Sequence, residues 1–173
     1  SKSLPIKSLS KMQLTKIGGD IYFYRNYNEG WAKRTNPIFQ DMLARNLCNG
    51  NTEDMNHSCP KKILEFGCGV AGNLRHFCAT NKCTRAVCIE GSSYAQFVNT
   101  MSLPQEVEFL IGNLQDENVY RNVPVKSFDL IYQVWATIAI SNFSFHINSL
   151  LPNIYKSIVP NGYFAREGVL GKN

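Results

Sequence analysis

The chain has 173 residues, 44% of them hydrophobic and 18% charged, which is enough for one sizeable core and too little for two ordinary domains. No apolar run approaches the roughly 18 residues of a membrane span, and residues 1–16 scatter four lysines among isolated apolar residues rather than building a secretory-type stretch. The net charge of +5 is confined to the front: residues 1–47 hold eight Lys/Arg against three Asp/Glu, and the remainder holds ten of each. So small an excess reads as a solvated face rather than a nucleic-acid or membrane surface.

The six cysteines, at positions 48, 59, 68, 78, 83 and 88, contain no Cys-x-x-Cys pair. Cys78 and Cys83, with His76 nearby, do not make a four-ligand zinc pattern, so no metal is expected. A chain able to build a core without staples is expected to keep its thiols reduced, in the cytoplasm.

From the front, residues 20–31 (DIYFYRNYNEGW) form an aromatic run. Tyr22, Tyr24, Tyr27 and Trp31 suit either a lid over a ligand or a staple that docks the next helix. Asn36-Pro37 reads as an N-cap followed by proline at the first helical position, and Ile38, Phe39, Met42, Leu43 and Leu47 recur at helical spacing. A polar stretch, NGNTEDMNHSCPKK, then separates a front region, residues 1–59, from the main domain, residues 60–173.

Beyond it the period changes. KILEF (62–66), RAVCIE (85–90), VEFLI (107–111), FDLIYQV (128–134) and residues 163–170 read as strands. Residues 73–80, a segment capped by Ser92 or Ser93 and running to Met101, and residues 145–159 read as helices. In the last of these, Ile147, Leu150, Leu151, Ile154, Tyr155 and Ile158 share a face, and Pro152 marks a start or a kink. Strands alternating with helices predict an α/β fold, a mostly parallel sheet covered on both faces.

The stretch Ile63 to Gly72 (ILEFGCGVAG) carries the chemistry. A strand that ends, turns and enters a helix while a ligand touches its backbone needs residues tolerant of positive φ and lacking a Cβ, which Gly67 and Gly69 supply. Gly67, Gly69 and Gly72 also satisfy the G-x-G-x-x-G dinucleotide fingerprint, with Glu90 about 20 residues further on; an NAD-dependent oxidoreductase is therefore one reading. Glu65 favours another. A carboxylate two residues before the first glycine is poorly placed for a pyrophosphate and suits a cation such as a sulfonium or ammonium.

ILEFGCGVAGN resembles the first motif of class I S-adenosylmethionine-dependent methyltransferases, E/D-x-G-x-G-x-G, and later segments follow the order of that family from about residue 60 to 170. The resemblance implies a Rossmann-like three-layer sandwich and S-adenosylmethionine as cofactor. It implies that Glu65, Gly67, Cys68, Gly69 and Gly72 hold the methionine end of the donor. Glu90, followed by Gly91, would bind the ribose, Asn113 and Leu114 the adenine, and Gln133 and Trp135 would lie beside the reactive methyl. Arg34, near Trp31, would pair with the donor carboxylate, and His146 is a candidate general base.

Ala71 stands where a third glycine is usual, Asn113 where an aspartate is, and Pro160-Asn161-Gly162 for Pro-Gly-Gly. QVWA after the fourth strand is not the Asn-Pro-Pro-Tyr type of nucleic-acid amino methylases, and no Lys-Asp-Lys-Glu set appears, so a small-molecule acceptor is expected. The family usually adds an antiparallel hairpin after the fifth strand, whereas this sequence ends at Asn173. A homodimer or partner chain completing the sheet edge is therefore expected, and with it a non-catalytic subunit as an alternative.

Overall fold

A computed structural model describes residues 35–48, 59–69, 71–91, 107–114, 116–134 and 146–166. The aromatic run with Trp31 and Arg34, the helix expected after Ser92 or Ser93, and Trp135 lie outside the described residues.

Asn36 caps the first helix, α1 (Pro37–Leu47), by accepting the Phe39 N–H at 3.1 Å, with proline in the first turn. Strand β1 (Lys62–Phe66) leads through the glycine loop into α2 (Gly72–Asn81), and β2 (Arg85–Glu90) follows. Next come β3 (Glu108–Ile111), α3 (Glu117–Arg121) and β4 (Phe128–Gln133). A π-helix over His146–Leu150 runs into α4 (Leu151–Ser157), and β5 (Ile158–Arg166) ends the described chain.

The five strands form one all-parallel sheet in the order β3-β2-β1-β4-β5. Its central strands are apolar on both faces, as a sheet sandwiched between helices requires. On one face Ile63, Cys88, Leu130 and Tyr132 pack with Phe39 and Leu43 of α1 and Leu74 and Phe77 of α2. On the other, Leu64, Phe66, Ile89 and Ile131 pack with Tyr120 of α3 and with Leu150 and Ile154 around α4. The expected α/β architecture is present.

Four expectations are corrected. The buried stripe of α1 is Phe39, Gln40 and Leu43, while Ile38 and Met42 are exposed, because two buried neighbours, Asn73 and the sheet, select one side of the helix. Of the stripe expected over residues 145–159, Leu151 and Tyr155 face outward, whereas Leu150, Ile154 and part of Ile158 pack against the sheet. Strand β5 begins at Ile158 rather than Tyr163; Pro160-Asn161-Gly162 falls inside it, at a register shift in which Phe128 pairs with Ile158 and Leu130 with Tyr163. Asn161 there takes φ 63°, a conformation that asparagine tolerates better than most residues.

The fourth concerns the thiols. Cys48 is bonded to Cys59 and Cys68 to Cys88, with Cα–Cα separations of 4.5 and 6.0 Å, so the expectation of six reduced cysteines does not hold. Spacing along the chain gave no hint of these pairs; the fold makes them neighbours. Cys78 and Cys83 are free. They meet at the end of α2, where Lys82 is left-handed and the Cys83 N–H returns to the Cys78 carbonyl at 3.2 Å, a Schellman closure that brings these two side chains together. Among the described residues no cluster of metal-ligating groups occurs, and no helix is long and apolar enough to cross a membrane.

Asp129 ties the sheet at its amino end, its carboxylate accepting the backbone N–H groups of Lys61 and Lys62 at 3.0 and 2.9 Å. Asp129→Ala is expected to lower stability by about 1–3 kcal/mol, the range for losing charge-assisted bonds. Urea unfolding followed by circular dichroism measures it, and an unchanged midpoint would refute this role.

Candidate functional site

The order in which strands are added switches sides between β1 and β4, β2 lying on one side of β1 and β4 on the other with all strands parallel, and this opens a crevice at the carboxyl ends of the strands. Open parallel sheets bind ligands in such crevices. The glycine loop lies there. Gly67 and Gly69 take φ 67° and 56°, a region closed to most side chains, and a Cβ on Gly69 would meet nothing within 4 Å. The loop therefore presents bare backbone to open space. Ala71 also takes φ 60°, a left-handed conformation that costs alanine about 1 kcal/mol and glycine none.

Glu90 at the tip of β2 joins three loops. Its carboxylate accepts the Gly69 N–H at 2.7 Å, and its carbonyl accepts the Gly112 N–H at 2.9 Å. Below, the Gly67 N–H donates to the Ile89 carbonyl at 2.7 Å. The loops after β1, β2 and β3 are thereby held side by side along one edge. Gly91 is exposed next to Glu90, and a Cβ there would come within 3.9 Å of the Gly112 carbonyl. Asn113 is exposed beyond β3. Leu114 is buried in the core, its carbonyl accepting a short hydrogen bond from the Tyr120 hydroxyl at 2.5 Å, so it anchors this turn from beneath.

Two buried polar side chains sit at the crevice on opposite faces of the sheet. Glu65 is 1% exposed, and the Tyr132 hydroxyl donates to its carboxylate at 3.2 Å. Burial pushes its pKa from the ordinary 4.5 up to about 8; the Tyr132 bond pulls it down, the nearby Glu90 charge raises it, and a bond with the Leu74 backbone lowers it. The carboxyl therefore carries its proton at neutral pH. Gln133, at the end of β4 beside Phe66, is fully buried, and neither its Oε1 nor its Nε2 has a hydrogen-bond partner among the described residues. A buried amide left so costs about 1–3 kcal/mol for each unsatisfied group.

Of the residues expected in the site, Glu65, Gly67, Cys68, Gly69, Glu90, Gly91, Asn113, Leu114 and Gln133 lie at the carboxyl ends of β1 to β4 or in the loops beyond them, and Gly72 opens α2. His146 opens the π-helix. Tyr132 was not singled out from the sequence. Its alternation with Gln133 on β4 places it on the Glu65 face, which is the signal that would have found it.

No family model matches the sequence, and no curated protein matches it. Solved structures do. A methyltransferase from Geobacter sulfurreducens described as S-adenosylmethionine-dependent, in complex with S-adenosylhomocysteine, is similar over 76% of this chain and 47% of its own, with a TM-score of 0.52 and 14% identity. A second such enzyme and complex, from Thiobacillus denitrificans, is similar over 76% of this chain and 48% of its own, with a TM-score of 0.50 and 14% identity.

The chain shares the Rossmann-like α/β fold of these two structures.

YjhP from Escherichia coli also shares the architecture, over 76% of this chain and 49% of its own, with a TM-score of 0.52 and 17% identity. The chain thus spans about half the length of these structures. Within this shared fold, the clasped loops of Gly69, Glu90 and Gly112 form the carboxyl edge of β1, β2 and β3.

The two buried polar groups give separate stability signatures. A carboxyl whose folded pKa lies above its unfolded one binds more protons when folded, so the Glu65 contribution to stability is full below the unfolded value of 4.5 and is lost as pH rises toward about 8. Glu65→Gln is expected to flatten that decline; thermal melts across this pH range measure it, and an identical slope in both proteins would refute it. Gln133→Leu removes two unsatisfied groups at similar volume and is expected to raise the melting temperature of the ligand-free protein by several degrees, about 1–3 kcal/mol. A lowered melting temperature would show that the amide is satisfied in solution.

Proposed function

We propose that this chain binds S-adenosylmethionine along the carboxyl edge of its sheet and transfers the methyl group to a small-molecule acceptor. The observation that carries this reading is the pairing of an open, left-handed glycine loop with the Glu90 carboxylate 2.7 Å from the Gly69 N–H. It is supported by the fold and by the ordered motifs in the sequence.

The residues present suit such a donor. The backbone of Gly67, Cys68, Gly69 and Gly72 would face its methionine end, with Glu65 below; Glu90 and Gly91 would take the ribose hydroxyls, and Asn113 with the Leu114 backbone the adenine. When bound, the donor supplies an electrophilic methyl group on a sulfonium. The chain has mainly to position two reactants and exclude water. Glu65 holds its proton while the site lacks a cation and releases it when a positive group lies alongside. Gln133, Trp135, Trp31 and Arg34 complete the proposed donor set, and His146 is the proposed base for an acceptor that carries a proton.

Isothermal titration with S-adenosylhomocysteine and with NAD tests the reading. Binding of the first and not the second is expected. Gly69→Ala, which puts a methyl group into the open space above the loop, is expected to cost about 1–2 kcal/mol of stability and at least about tenfold in S-adenosylhomocysteine affinity. Glu90→Ala is expected to weaken it by about 1–3 kcal/mol. Unchanged affinity in both variants, or saturable binding of NAD alone, would overturn the assignment.

A second reading, a subunit that works through a partner chain or a second copy, rests on β5. It pairs only with β4 among the described strands and leaves Tyr163 and Phe164 at 42% and 37% exposure. Native mass measurement on the full protein distinguishes a monomer from either assembly.

A further inference from the structure

Cys68 sits between the two left-handed glycines of the loop and is bonded to Cys88 of β2, two residues before Glu90. Cys88 is fully buried and lies in register beside Glu65; Cys68 is half-buried and packs against the same apolar cluster. The bond therefore draws the Cys68 side chain into the α1–α2 face of the sheet. With the side chain anchored there, the loop backbone stays at the open edge, where a Gly69 Cβ would meet nothing within 4 Å.

The two glycines give this loop its shape and also its largest entropic liability, because glycine has the most conformations to lose. Two backbone bonds restrain the loop, Gly67 to Ile89 at 2.7 Å and Ala71 to Cys68 at 2.8 Å, and the Gly69 bond to Glu90 uses the carboxylate proposed to hold the ribose. A ligand that competes for Glu90 would release the last of these. The disulfide is the covalent restraint in this set and is not contested by ligand binding, and a loop held in shape beforehand costs less to order on binding.

We propose that Cys68–Cys88 is a reversible thiol–disulfide site that pre-shapes the glycine loop, so that the bonded form binds the nucleoside donor more tightly than the dithiol form. This rests on the donor site proposed above. The opening step balances with a dithiol reductant. Its thiolate attacks the Cys68 sulfur, the Cys68–Cys88 bond breaks, and Cys88 leaves and takes a proton. The second thiol of the reductant then displaces Cys68, which is released as a thiol, and the reductant closes into a cyclic disulfide. Two electrons and two protons pass to the protein.

The test is titration of the full chain with S-adenosylhomocysteine before and after treatment with excess dithiothreitol, with circular dichroism to verify that the fold persists. Reduction is expected to weaken binding roughly three- to tenfold. The C48S/C59S double variant removes the other disulfide and is expected to keep this sensitivity. C68S/C88S is expected to bind like the reduced protein and to ignore dithiothreitol; should it fail to fold, wild-type reduction carries the test. Linkage supplies a second readout: S-adenosylhomocysteine must make Cys68–Cys88 harder to reduce by the same factor, measured by differential alkylation and peptide mass. Equal or tighter binding in the reduced form overturns this inference and leaves the donor site standing. Absence of binding in both forms overturns both.

Discussion

The carboxyl edge of this sheet is organised by one side chain. Glu90 meets the loop of β1 through its carboxylate and the loop of β3 through its carbonyl, so three consecutive strand ends are placed by a residue at the tip of the middle one. The geometry follows from the parallel arrangement: strands that run the same way finish at the same edge, and their exits must be tied or they fray into solvent. A carboxylate does this while keeping oxygen atoms at the surface. The same group can therefore be structural without a ligand and functional with one.

Beneath the edge, the fold retains polar groups that an apolar core would do better without. Glu65 sits fully buried among apolar groups, with the Tyr132 hydroxyl donating to it, and Gln133 could be leucine beside Phe66. Both are polar and buried, and the Gln133 amide has no partner among the described residues. Residues that oppose stability at the crevice where an open sheet takes its ligands are where a fold gives up free energy for chemistry. Their separation across the two faces means that the crevice is flanked on both sides, by an acid on one and an amide on the other.

Much of this was legible in the sequence because the signals are local. Asn36-Pro37, KILEF running into glycine, and RAVCIE ending in an acid each specify their element within a few residues, and the ordered strand ends follow. Other features depend on what lies across space. Ile38, Met42 and Tyr155 fit the helical period yet face outward, since periodicity reports an apolar stripe and not which side of it a neighbour covers. Helix α3 escaped notice because five residues are too few to show a period; its only sign was Asp116, which caps it by accepting the Asn118 N–H. The disulfides join residues 11 and 20 positions apart through strand adjacency and chain return, which spacing does not encode. Placement of Glu65 at a strand end was readable, whereas its depth, and with it the proton it keeps, emerged only once Tyr132 and α2 were seen above it.

The junction between α1 and α2 has its own consequence. The Asn36 N–H donates to the Asn73 side chain at 2.7 Å, and Gln40 donates to both oxygens of Asn73 at 3.0 and 3.3 Å, one residue past the glycine that closes the loop. An engineer seeking a minimal version of this protein would be tempted to cut at the polar linker and discard everything before it. Such a cut would strip the opening turn of α2 of its neighbours and uncover Leu74 and Phe77, so the shortest chain that keeps the pocket intact has to begin ahead of Asn36.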